Sequence, residues 1–305
     1  MVAKVLLGPS SFGKENDAPL RVLREAGCEV LPNPYGRKLT REELLVLLPG
    51  VQGLIAGLEP LDRPVLTALP DLKVISRCGS GMSNVDQETA RELGIRVYST
   101  PNGPTRAVAE LTLGCLLTLI RDVGRMDRGL RAGRWEKRVG RQLAGMRVLM
   151  IGYGRIGQAV GELLMAFGAE LMVSDPLYRG AETVSEADFK AALGRADVIS
   201  LHCSGEKELL GREAIAAMKP GVFLLNAARG GLIDEEALVE ALREGRIAGA
   251  WIDTFVKEPY QGALCSFEQV LLTPHVGSYT TEGRLQMETD TSLNLLAGLR
   301  EAGLL

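Results

Sequence analysis

The chain has few of the residues that build metal centres and disulfide frameworks. Its 305 residues include only two histidines, His202 and His275, and five cysteines that stand singly along the sequence. No CxxC spacing occurs, and an odd number of separated cysteines argues against a disulfide framework or a zinc site. We therefore predict a protein without a bound metal.

The sequence also lacks a long hydrophobic segment. Its most apolar helical stretch, residues 107–120, is too short to span a bilayer and is interrupted by Glu110. The N-terminal segment MVAKVLLGPS has no long apolar core after a basic start, so no signal peptide is predicted. We expect a cytoplasmic protein that does not bind a membrane.

An excess of positive charge is missing as well. The formal net charge is -3 and the pI is about 5.7, which disfavours nucleic acid or an acidic membrane surface as the main partner. Hydrophobic residues make up 46% and charged residues 24% of the chain, as in ordinary soluble globular proteins. The length favours two domains.

The chain does contain a regular alternation of short β-rich segments and helical patterns. In its N-terminal part, strands are predicted at 4–8, 29–31, 53–57, 73–78 and 96–99, followed by a long helix over Thr105–Arg125. A second series of nearly continuous apolar strands is predicted at 147–152, 170–175, 197–202, 222–226, 248–253 and 270–275. Such alternation indicates the α/β class, with two doubly wound parallel-sheet domains.

The segment GYGRIG, residues 152–157, matches the dinucleotide-binding pattern GxGxxG. It directly follows a predicted strand and opens a predicted helix, which is the context that the pattern requires. Gly152 would make the tight turn, Gly154 would let the backbone approach a pyrophosphate, and Gly157 would let the helix pack closely on the strand. The helix N-terminus would supply N–H groups for the phosphates.

Asp175 ends the strand that follows this helix. In this position its carboxylate can accept hydrogen bonds from both ribose hydroxyls of an adenosine. A structural turn without a ligand would not explain this residue. The carboxylate would also repel a 2′-phosphate, so the sequence predicts NAD in preference to NADP, with the nearby Arg179 leaving NADP as the alternative.

Three more polar residues stand at or just after strand ends in the second series. Arg229 follows the strand at 222–226, Glu258 lies in the loop after the strand at 248–253, and His275 ends the last strand. Ligands of open parallel sheets bind outside the carboxyl ends of the strands. We therefore expect these side chains to converge near the nicotinamide.

Hydride transfer between a 2-hydroxy acid and a 2-oxo acid needs these three kinds of group. A planar guanidinium can bind the substrate carboxylate and carbonyl, and histidine titrates near neutral pH and can exchange the hydroxyl proton. A carboxylate beside the histidine orients its ring and stabilises the imidazolium. Singly, the three residues would be interpreted as a surface ion pair, a solvated loop residue and a structural histidine. Their joint occurrence after the dinucleotide pattern favours catalysis.

The chain resembles the D-isomer-specific 2-hydroxyacid dehydrogenase family. The segments that carry the resemblance are SRCGSGMSNVD (76–86), STPNGPTRAVAELTLG (99–114), GRWEKR (133–138), LAGMRVLMIGYGRIG (143–157), LNAARGGLIDEEAL (225–238), GAWIDTFVKEP (249–259) and LLTPHVGSYT (271–280). By this resemblance Arg229 binds and polarises the substrate, Glu258 pairs with the histidine, and His275 is the acid/base.

The resemblance also implies the remaining site residues. Asp253 would contact the nicotinamide, His202 and Cys203 would lie beside the adenosine, and Ser80 would approach the nicotinamide. A backbone loop would hold the substrate carboxylate with its N–H groups; it consists of Cys78, Gly79, Ser80 and Gly81. Further cofactor-binding residues would be Arg155, Ile156, Ala227, Ala228 and Gly277.

The family organisation implies a flavodoxin-like substrate-binding domain and a Rossmann NAD-binding domain. The first would comprise residues 1–100 plus 282–305, and the second residues 101–281. The helix Thr105–Arg125 and the GRWEKR arm resemble family dimer contacts, so a homodimer is expected. We expect no C-terminal regulatory domain of the kind that some family members carry.

The quoted segments are most similar to those of members that oxidise D-3-phosphoglycerate in serine biosynthesis. The substrate phosphate would then need cations, for which the candidates are Arg77, Arg106, Arg134 and Lys137, the last two from a partner subunit. Each of these is equally well interpreted as a solvated surface charge. Reduction of glyoxylate or hydroxypyruvate is the alternative within the family, and a non-catalytic NAD-sensing module is the alternative of another class.

Overall fold

The computed structural model of the protein describes residues 2–185, 188–205 and 207–305. The chain divides into two compact units. Unit 1 comprises the chain up to Pro104 together with Ser278–Leu305, and unit 2 comprises Thr105–Gly277. The assignment of these units as a substrate-binding domain and an NAD-binding domain, with borders at 100 and 282, stays a prediction.

Unit 1 is built on a five-stranded parallel sheet in the order β2-β1-β3-β4-β5, which is the flavodoxin-like order. The strands are β1 (Lys4–Leu7), β2 (Glu29–Leu31), β3 (Gly53–Ala56), β4 (Val74–Arg77) and β5 (Arg96–Ser99). The helices are α1 (Ala18–Glu25), α2 (Arg41–Leu47), α3 (Arg63–Thr67), α4 (Gln87–Glu92) and the C-terminal helix, α11 in chain order (Thr281–Glu301).

Successive strand residues of unit 1 face opposite sides of this sheet. Val5 packs with Leu23 of α1 and Leu295 of α11, whereas the next residue, Leu6, packs in the core layer that contains Leu44 of α2. Strand side chains alternate in this way because the side-chain period of a strand is two residues. Both faces are covered by helices, which explains why the strands are apolar without alternation.

Unit 2 is built on a six-stranded parallel sheet in the order β11-β10-β9-β8-β6-β7. The strands are β6 (Arg147–Ile151), β7 (Glu170–Ser174), β8 (Val198–Leu201), β9 (Val222–Asn226), β10 (Ile247–Ile252) and β11 (Val270–Leu272). The helices are α5 (Gly103–Ile120, which begins in unit 1), α6 (Val123–Arg131), α7 (Arg155–Ala166), α8 (Phe189–Arg195), α9 (Arg212–Ala217) and α10 (Glu235–Arg243).

The strand order of unit 2 reverses between β6 and β8. An isolated parallel bridge between Val173 and Thr183 extends the sheet beyond β7, in the place of the third strand of the Rossmann order. Gly152 directly follows β6 and His202 directly follows β8, so both lie at the point of reversal. The predicted α/β class, with a flavodoxin-like sheet and a Rossmann sheet, is confirmed.

The predicted helix Thr105–Arg125 is wrong as a single helix. The structure has α5 and α6 in its place, and Asp122 between them adopts a left-handed conformation with φ of 53°. The N–H of Arg141 donates to the carbonyl of Ile120 over 2.8 Å, so a later segment satisfies one of the last carbonyls of α5. The apolar pattern continues across this break and therefore does not reveal it.

The helices of the described ranges include none that is long and apolar enough to cross a membrane. Within the same ranges, no group of three or more histidine, cysteine, aspartate or glutamate side chains is arranged to hold a metal ion. The five cysteines are free thiols.

Candidate active site

The turn after β6 requires glycine at two positions. Gly152 has φ of 90°, and a Cβ on it would lie 2.6 Å from the Cα of Cys203. A Cβ on Gly157 would overlap the carbonyl oxygen of Gly152, so α7 packs directly on the turn. A Cβ on Gly154, by contrast, would meet no atom of the described residues within 4 Å. The turn therefore packs tightly against the protein at Gly152 and Gly157, whereas the space beside Gly154 is free of described atoms.

Helix α7 begins at Arg155, and its N-cap is Gly154, which provides no side-chain cap. The first N–H groups of a helix without a side-chain cap can bind an anion. The side chain of Arg155 is exposed, and Ile156 packs partly against the core. This turn and helix start fit the pyrophosphate of a dinucleotide.

Asp175 is fixed beside the same turn. Its Oδ2 accepts a hydrogen bond of 2.7 Å from the N–H of Tyr153, and its Oδ1 accepts one of 2.8 Å from the N–H of Leu177. The guanidinium of Arg179 donates to the carbonyls of Pro176 and Tyr178, each over 2.7 Å. The carboxylate is held in place by backbone donors and can accept further bonds from a ribose.

His202 lies on the other side of the strand-order reversal, after β8. Its Nε2 and the hydroxyl of Ser200 share a hydrogen bond of 2.7 Å, and its buried Nδ1 has no partner among the described residues. Burial lowers the pKa of His202 to about 4, so the ring is neutral at pH 7. Burial also raises the pKa of the neighbouring Cys203 thiol. The structure brings both residues to the Gly152 turn; their contact with adenosine stays a prediction.

Asn226, at the end of β9, fixes the turn that carries Arg229. Its Nδ2 donates to the carbonyl of Arg229 over 2.9 Å, and its Oδ1 accepts from the N–H of Ala228 over 3.0 Å. One guanidinium nitrogen of Arg229 donates to the carbonyl of Ala228 over 2.7 Å. Asn226 is only 1% exposed, so a buried amide sets the backbone of the predicted Ala227–Arg229 site.

The Arg229 turn packs directly on the loop that carries Glu258. A Cβ on Gly230 would lie 2.6 Å from the Cα of Phe255, so the two backbones touch. Glu258 in turn accepts a hydrogen bond from the N–H of Phe255 over 3.1 Å. Two of the three predicted catalytic residues are thus joined through Gly230 and Phe255.

Glu258 and His275 form a direct pair. The Nδ1 of His275 lies 3.1 Å from each carboxylate oxygen of Glu258. The side chains are 35% and 33% exposed, respectively, so the pair is reachable from solvent. His275 has φ of 56°, a left-handed conformation that is uncommon for a residue other than glycine. Strained residues of this kind concentrate at functional sites.

Asp253 holds the segment on both sides of this strained histidine. Its Oδ1 accepts from the N–H of Val276 and its Oδ2 from the N–H of Gly277, each over 2.9 Å. Its Oδ1 also accepts from the hydroxyl of Thr273 over 2.5 Å, and that hydroxyl accepts from the indole of Trp251 over 2.9 Å. The carboxylate is 1% exposed. Asp253 is therefore a positioning residue for His275, and its predicted contact with nicotinamide stays a prediction.

Sequence reasoning missed the supporting roles of Asn226, Thr273 and Trp251. Asn226 stands out in the sequence as a polar residue at the end of a buried strand, which is a usable signal. Thr273 and Trp251 carry no such signal, because their contact joins two different strands.

The predicted substrate loop of unit 1 follows β4. The N–H of Cys78 donates to the carbonyl of Ala56 and that of Gly79 to the hydroxyl of Thr100, each over 2.8 Å, so the predicted carboxylate contact rests on the exposed Ser80 and on Gly81. Arg77 is 8% exposed, and its guanidinium donates to the carbonyl of Cys78. Burial raises the pKa of the Cys78 thiol to about 11, so this sulfur is an uncharged part of the core.

Comparison with known proteins agrees with this geometry. A family model described as "D-isomer specific 2-hydroxyacid dehydrogenase, NAD binding domain" matches residues 113–277. A hydroxypyruvate reductase from Thermotoga maritima is 36% identical over 257 residues, which cover 81% of this chain and 84% of the relative. A D-3-phosphoglycerate dehydrogenase from Mycobacterium leprae is 37% identical over 263 residues, which cover 83% of this chain. The match covers 50% of that relative, so the chain spans about half of its length.

A solved structure shows the same fold. The crystal structure of the TT0316 protein from Thermus thermophilus matches with a TM-score of 0.88 and 38% sequence identity. The match covers 98% of this chain and 97% of that one. The resemblance noted from the sequence segments is confirmed, and NAD is the cofactor. The chain belongs to the D-isomer specific 2-hydroxyacid dehydrogenase family of NAD-dependent oxidoreductases.

Proposed function

We propose that the protein interconverts a D-2-hydroxy acid and its 2-oxo acid, with Arg229, Glu258 and His275 as the catalytic residues. The observation that carries this proposal is the pairing of the His275 Nδ1 with both carboxylate oxygens of Glu258. A histidine oriented in this way has its Nε2 for proton exchange with a substrate. The buried Asp253 supports the proposal because it holds the backbone next to the ring.

NAD, when bound, supplies the hydride acceptor, and its reduced form the hydride donor. In the oxidation direction, the Nε2 of His275 accepts the hydroxyl proton while the C2–H bond breaks and the C2–O double bond forms. The ring becomes an imidazolium, and the carboxylate of Glu258 stabilises that charge. In the reduction direction, the same Nε2 returns the proton to the carbonyl oxygen.

Arg229 is proposed to bind the carboxylate and the carbonyl oxygen of the substrate. A guanidinium has five donors in a planar arrangement, so the bond to the Ala228 carbonyl leaves donors for a bidentate contact. The clamp from Asn226 keeps the backbone of this turn fixed before substrate binds. Such preorganisation lowers the entropy cost of reaching the reactive geometry.

The other predicted site residues keep their proposed roles. We propose that the loop Cys78–Gly81 holds the substrate carboxylate through the backbone N–H groups of Ser80 and Gly81. The proposed cofactor-binding residues are Ser80, Gly152, Gly154, Arg155, Ile156, Gly157, Asp175, His202, Cys203, Ala227, Ala228, Arg229, Asp253, His275 and Gly277.

The names of the relatives support more than one 2-hydroxy or 2-oxo acid as the substrate. The sequence segments favour D-3-phosphoglycerate as the substrate, and the Mycobacterium leprae relative carries that name. The Thermotoga maritima relative is named for hydroxypyruvate, which supports the alternative. The chemistry at C2 is the same for both acids, and this shared reaction is what we propose. A non-catalytic NAD-sensing module is set aside, because the relatives are named as enzymes.

The test of the proposed function is NADH oxidation, followed by absorbance, with a panel of 2-oxo acids, and NAD reduction with the matching 2-hydroxy acids of D and L configuration. We expect turnover of at least one 2-oxo acid and only of D-hydroxy acids. Binding of NADH without turnover of any acid would contradict the proposal, as would a preference for L-hydroxy acids.

We also propose a homodimer, as the family resemblance implies. The exposed large apolar side chains Leu130, Trp135 and Val139 lie on α6 and the adjoining arm. Light scattering coupled to size-exclusion chromatography should give twice the chain mass, and Trp135→Ser should shift it towards the monomer. A monomeric wild-type protein would contradict this proposal.

A further inference from the structure

The loop that carries Glu258 is closed at its base by two aromatic rings. Residues 256–259 are exposed, whereas Phe255 and Tyr260 on either side of them are partly buried against the core of unit 2. The two rings stack, with centroids 4.2 Å apart and an interplanar angle of 19°. Aromatic pairs in such arrangements stabilise a structure beyond the area that they bury. The stack therefore holds both ends of the exposed segment that contains Glu258.

The hydroxyl of Tyr260 ties this loop to the segment that carries Arg229. It donates a hydrogen bond of 2.5 Å to the carboxylate of Glu235, which is the first residue of α10. The turn with Arg229 directly precedes this helix in the chain. Tyr260 is thus bound to the Arg229 segment through its hydroxyl and to Phe255 through its ring, and the N–H of Phe255 donates to Glu258.

The surroundings of the Tyr260 hydroxyl are fitted to this bond. The N–H of Leu264 donates to its oxygen over 3.2 Å, so the hydroxyl both donates and accepts. A Cβ on Gly262 would overlap the same oxygen, so glycine at this position leaves the space that the hydroxyl occupies. Burial and the hydrogen bond to Glu235 raise the pKa of the Tyr260 phenol to about 12, so it keeps its proton at neutral pH.

Glu258 needs such support because its own burial does not fix it. Its side chain is 33% exposed where it pairs with His275. An exposed ion pair has to overcome the entropy cost of ordering its side chains. A loop that is held at its base before the substrate binds lowers this cost. The orientation of the His275 ring therefore depends on contacts at the base of the Glu258 loop.

We infer that Tyr260 is a positioning residue for Glu258 and, through Glu258, for the ring of His275. The inference rests on the proposed function, in which Glu258 orients His275 for proton exchange with the substrate. Tyr260 acts through two contacts, the stack on Phe255 and the hydrogen bond to Glu235, and not by contact with the reacting atoms.

The main experiment is a double-mutant cycle on kcat, measured with NADH and the 2-oxo acid that the wild type reduces best. Tyr260→Leu removes both contacts and should lower kcat about tenfold, with a smaller change in the Kd of NADH. In a Glu258→Ala background the same substitution should lower kcat by less than about twofold, because the residue through which Tyr260 acts is already missing. A residue that only stabilises the fold would lower kcat by the same factor in both backgrounds.

Two further variants make the cycle specific. Tyr260→Phe keeps the ring and removes the hydrogen bond to Glu235, so it should lower kcat about threefold; it carries the test if Tyr260→Leu does not fold. Tyr178→Phe is the matched control, because the hydroxyl of Tyr178 donates to Glu182 over 2.6 Å within one loop of the same unit. This control should leave kcat unchanged. Thermal melting shows whether each variant is folded.

A second readout does not depend on turnover. The chain has only two histidines, so nitrogen NMR of the labelled imidazoles resolves them once His202→Gln identifies the signals of His202. At a pH where the ring is neutral, the Nδ1 of His275 should carry the proton that bonds to Glu258. Tyr260→Leu should lower the population of this tautomer, and Tyr178→Phe should not.

Equal fold losses of kcat in the wild-type and Glu258→Ala backgrounds would overturn the inference and leave the proposed function standing. A folded Tyr260→Leu protein with wild-type kcat, or with the wild-type tautomer of His275, would do the same. Wild-type kcat in Glu258→Ala, or no turnover of any acid of the panel by the wild type, would overturn the proposed function, and this inference with it.

Discussion

The two histidines of this chain follow strands of the same parallel sheet but have opposite surroundings. His202 follows β8, its ring is neutral, and its Nδ1 is buried without a partner among the described residues. His275 follows β11, is about one-third exposed, and its Nδ1 is bound by Glu258. Both histidines follow the end of a strand, so this position does not by itself identify which of them is catalytic.

The difference arises from groups outside each histidine's own strand. The ring of His275 is oriented by a carboxylate from the loop after β10, and its backbone is held by Asp253 at the end of β10. Among the described residues, the ring of His202 is hydrogen-bonded to the hydroxyl of Ser200, two residues earlier on its own strand. Whether a histidine at a strand end of this sheet is oriented for proton transfer therefore depends on the side chains that the neighbouring strand and its loop place beside it.

The largest effect should come from removing the proposed proton carrier, His275. His275→Ala is expected to lower kcat by about 10³-fold, since general acid–base catalysis contributes about 10²–10⁴, while the Kd of NADH changes little. His202→Ala should raise the KM for NADH without a comparable fall in kcat. Steady-state kinetics and NADH fluorescence titration measure both. Equal losses of kcat in the two variants would remove the distinction between the histidines.

The turn beside His202 provides a second contrast, between two glycines of the same motif. Gly152→Ala should lower the free energy of unfolding by about 3 kcal/mol, because its Cβ would overlap the backbone of Cys203 at a positive φ. Gly154→Ala should fold normally, because its Cβ would meet no atom within 4 Å, and should weaken NADH binding only. Denaturant unfolding and NADH titration separate the two; a stable Gly152→Ala protein would contradict the packing argument.

The neutral ring of His202, whose pKa is lowered by desolvation, should make stability fall with acid. The ordinary pKa of 6.5 applies to the unfolded chain, whereas the folded pKa is about 4. As pH falls from 6.5 towards 4, the unfolded chain takes up a proton that the folded chain does not, so stability is lost in that window and is unaffected above it. The loss is at most about 3 kcal/mol. In His202→Gln, this loss of the free energy of unfolding between pH 7 and pH 4.5 should be absent, as measured by urea unfolding. If the free energy of unfolding depended on pH as in the wild type, the ring would not be held neutral in the folded protein.

The smallest effect should come from loosening the support of His275. Asp253→Asn leaves one acceptor oxygen for the three donors that the carboxylate serves, so we expect kcat to fall about tenfold and NADH affinity to fall less than kcat. Thr273→Val should act in the same direction, and the control Thr273→Ser, which keeps the hydroxyl, should not. If Asp253→Asn instead lost NADH affinity with kcat intact, its proposed contact with the cofactor would stand and its support of the histidine would be contradicted.

Much of unit 2 could be predicted from local sequence because its signals are local. Gly152, Gly157 and Asp175 have roles that follow from a turn, a helix start and a strand end close together in the chain. The break at Asp122 could not be predicted, because it depends on a later segment reaching the carbonyl of Ile120. Helical periodicity alone favours one continuous helix there.

Glu59 marks the limit of sequence reasoning in unit 1. In the sequence it is one acidic residue in a loop, which predicts solvent exposure. Its burial follows from glycine at positions 8 and 57, whose missing side chains leave the space that its carboxylate fills. Such a complementary fit joins segments distant in sequence and leaves no periodic pattern.

By itself, the sequence determined the α/β class and NAD as the cofactor, and it predicted the GYGRIG turn and the residue types of the proposed catalytic set, because periodicity and short motifs are properties of neighbouring residues. Only the tertiary structure decided that His275 pairs with Glu258 and is held by Asp253, while His202 is half-buried and neutral. Those outcomes depend on which loops meet at the end of a parallel sheet. Because a strand and its connections separate these loops in sequence, no local pattern reveals that they meet.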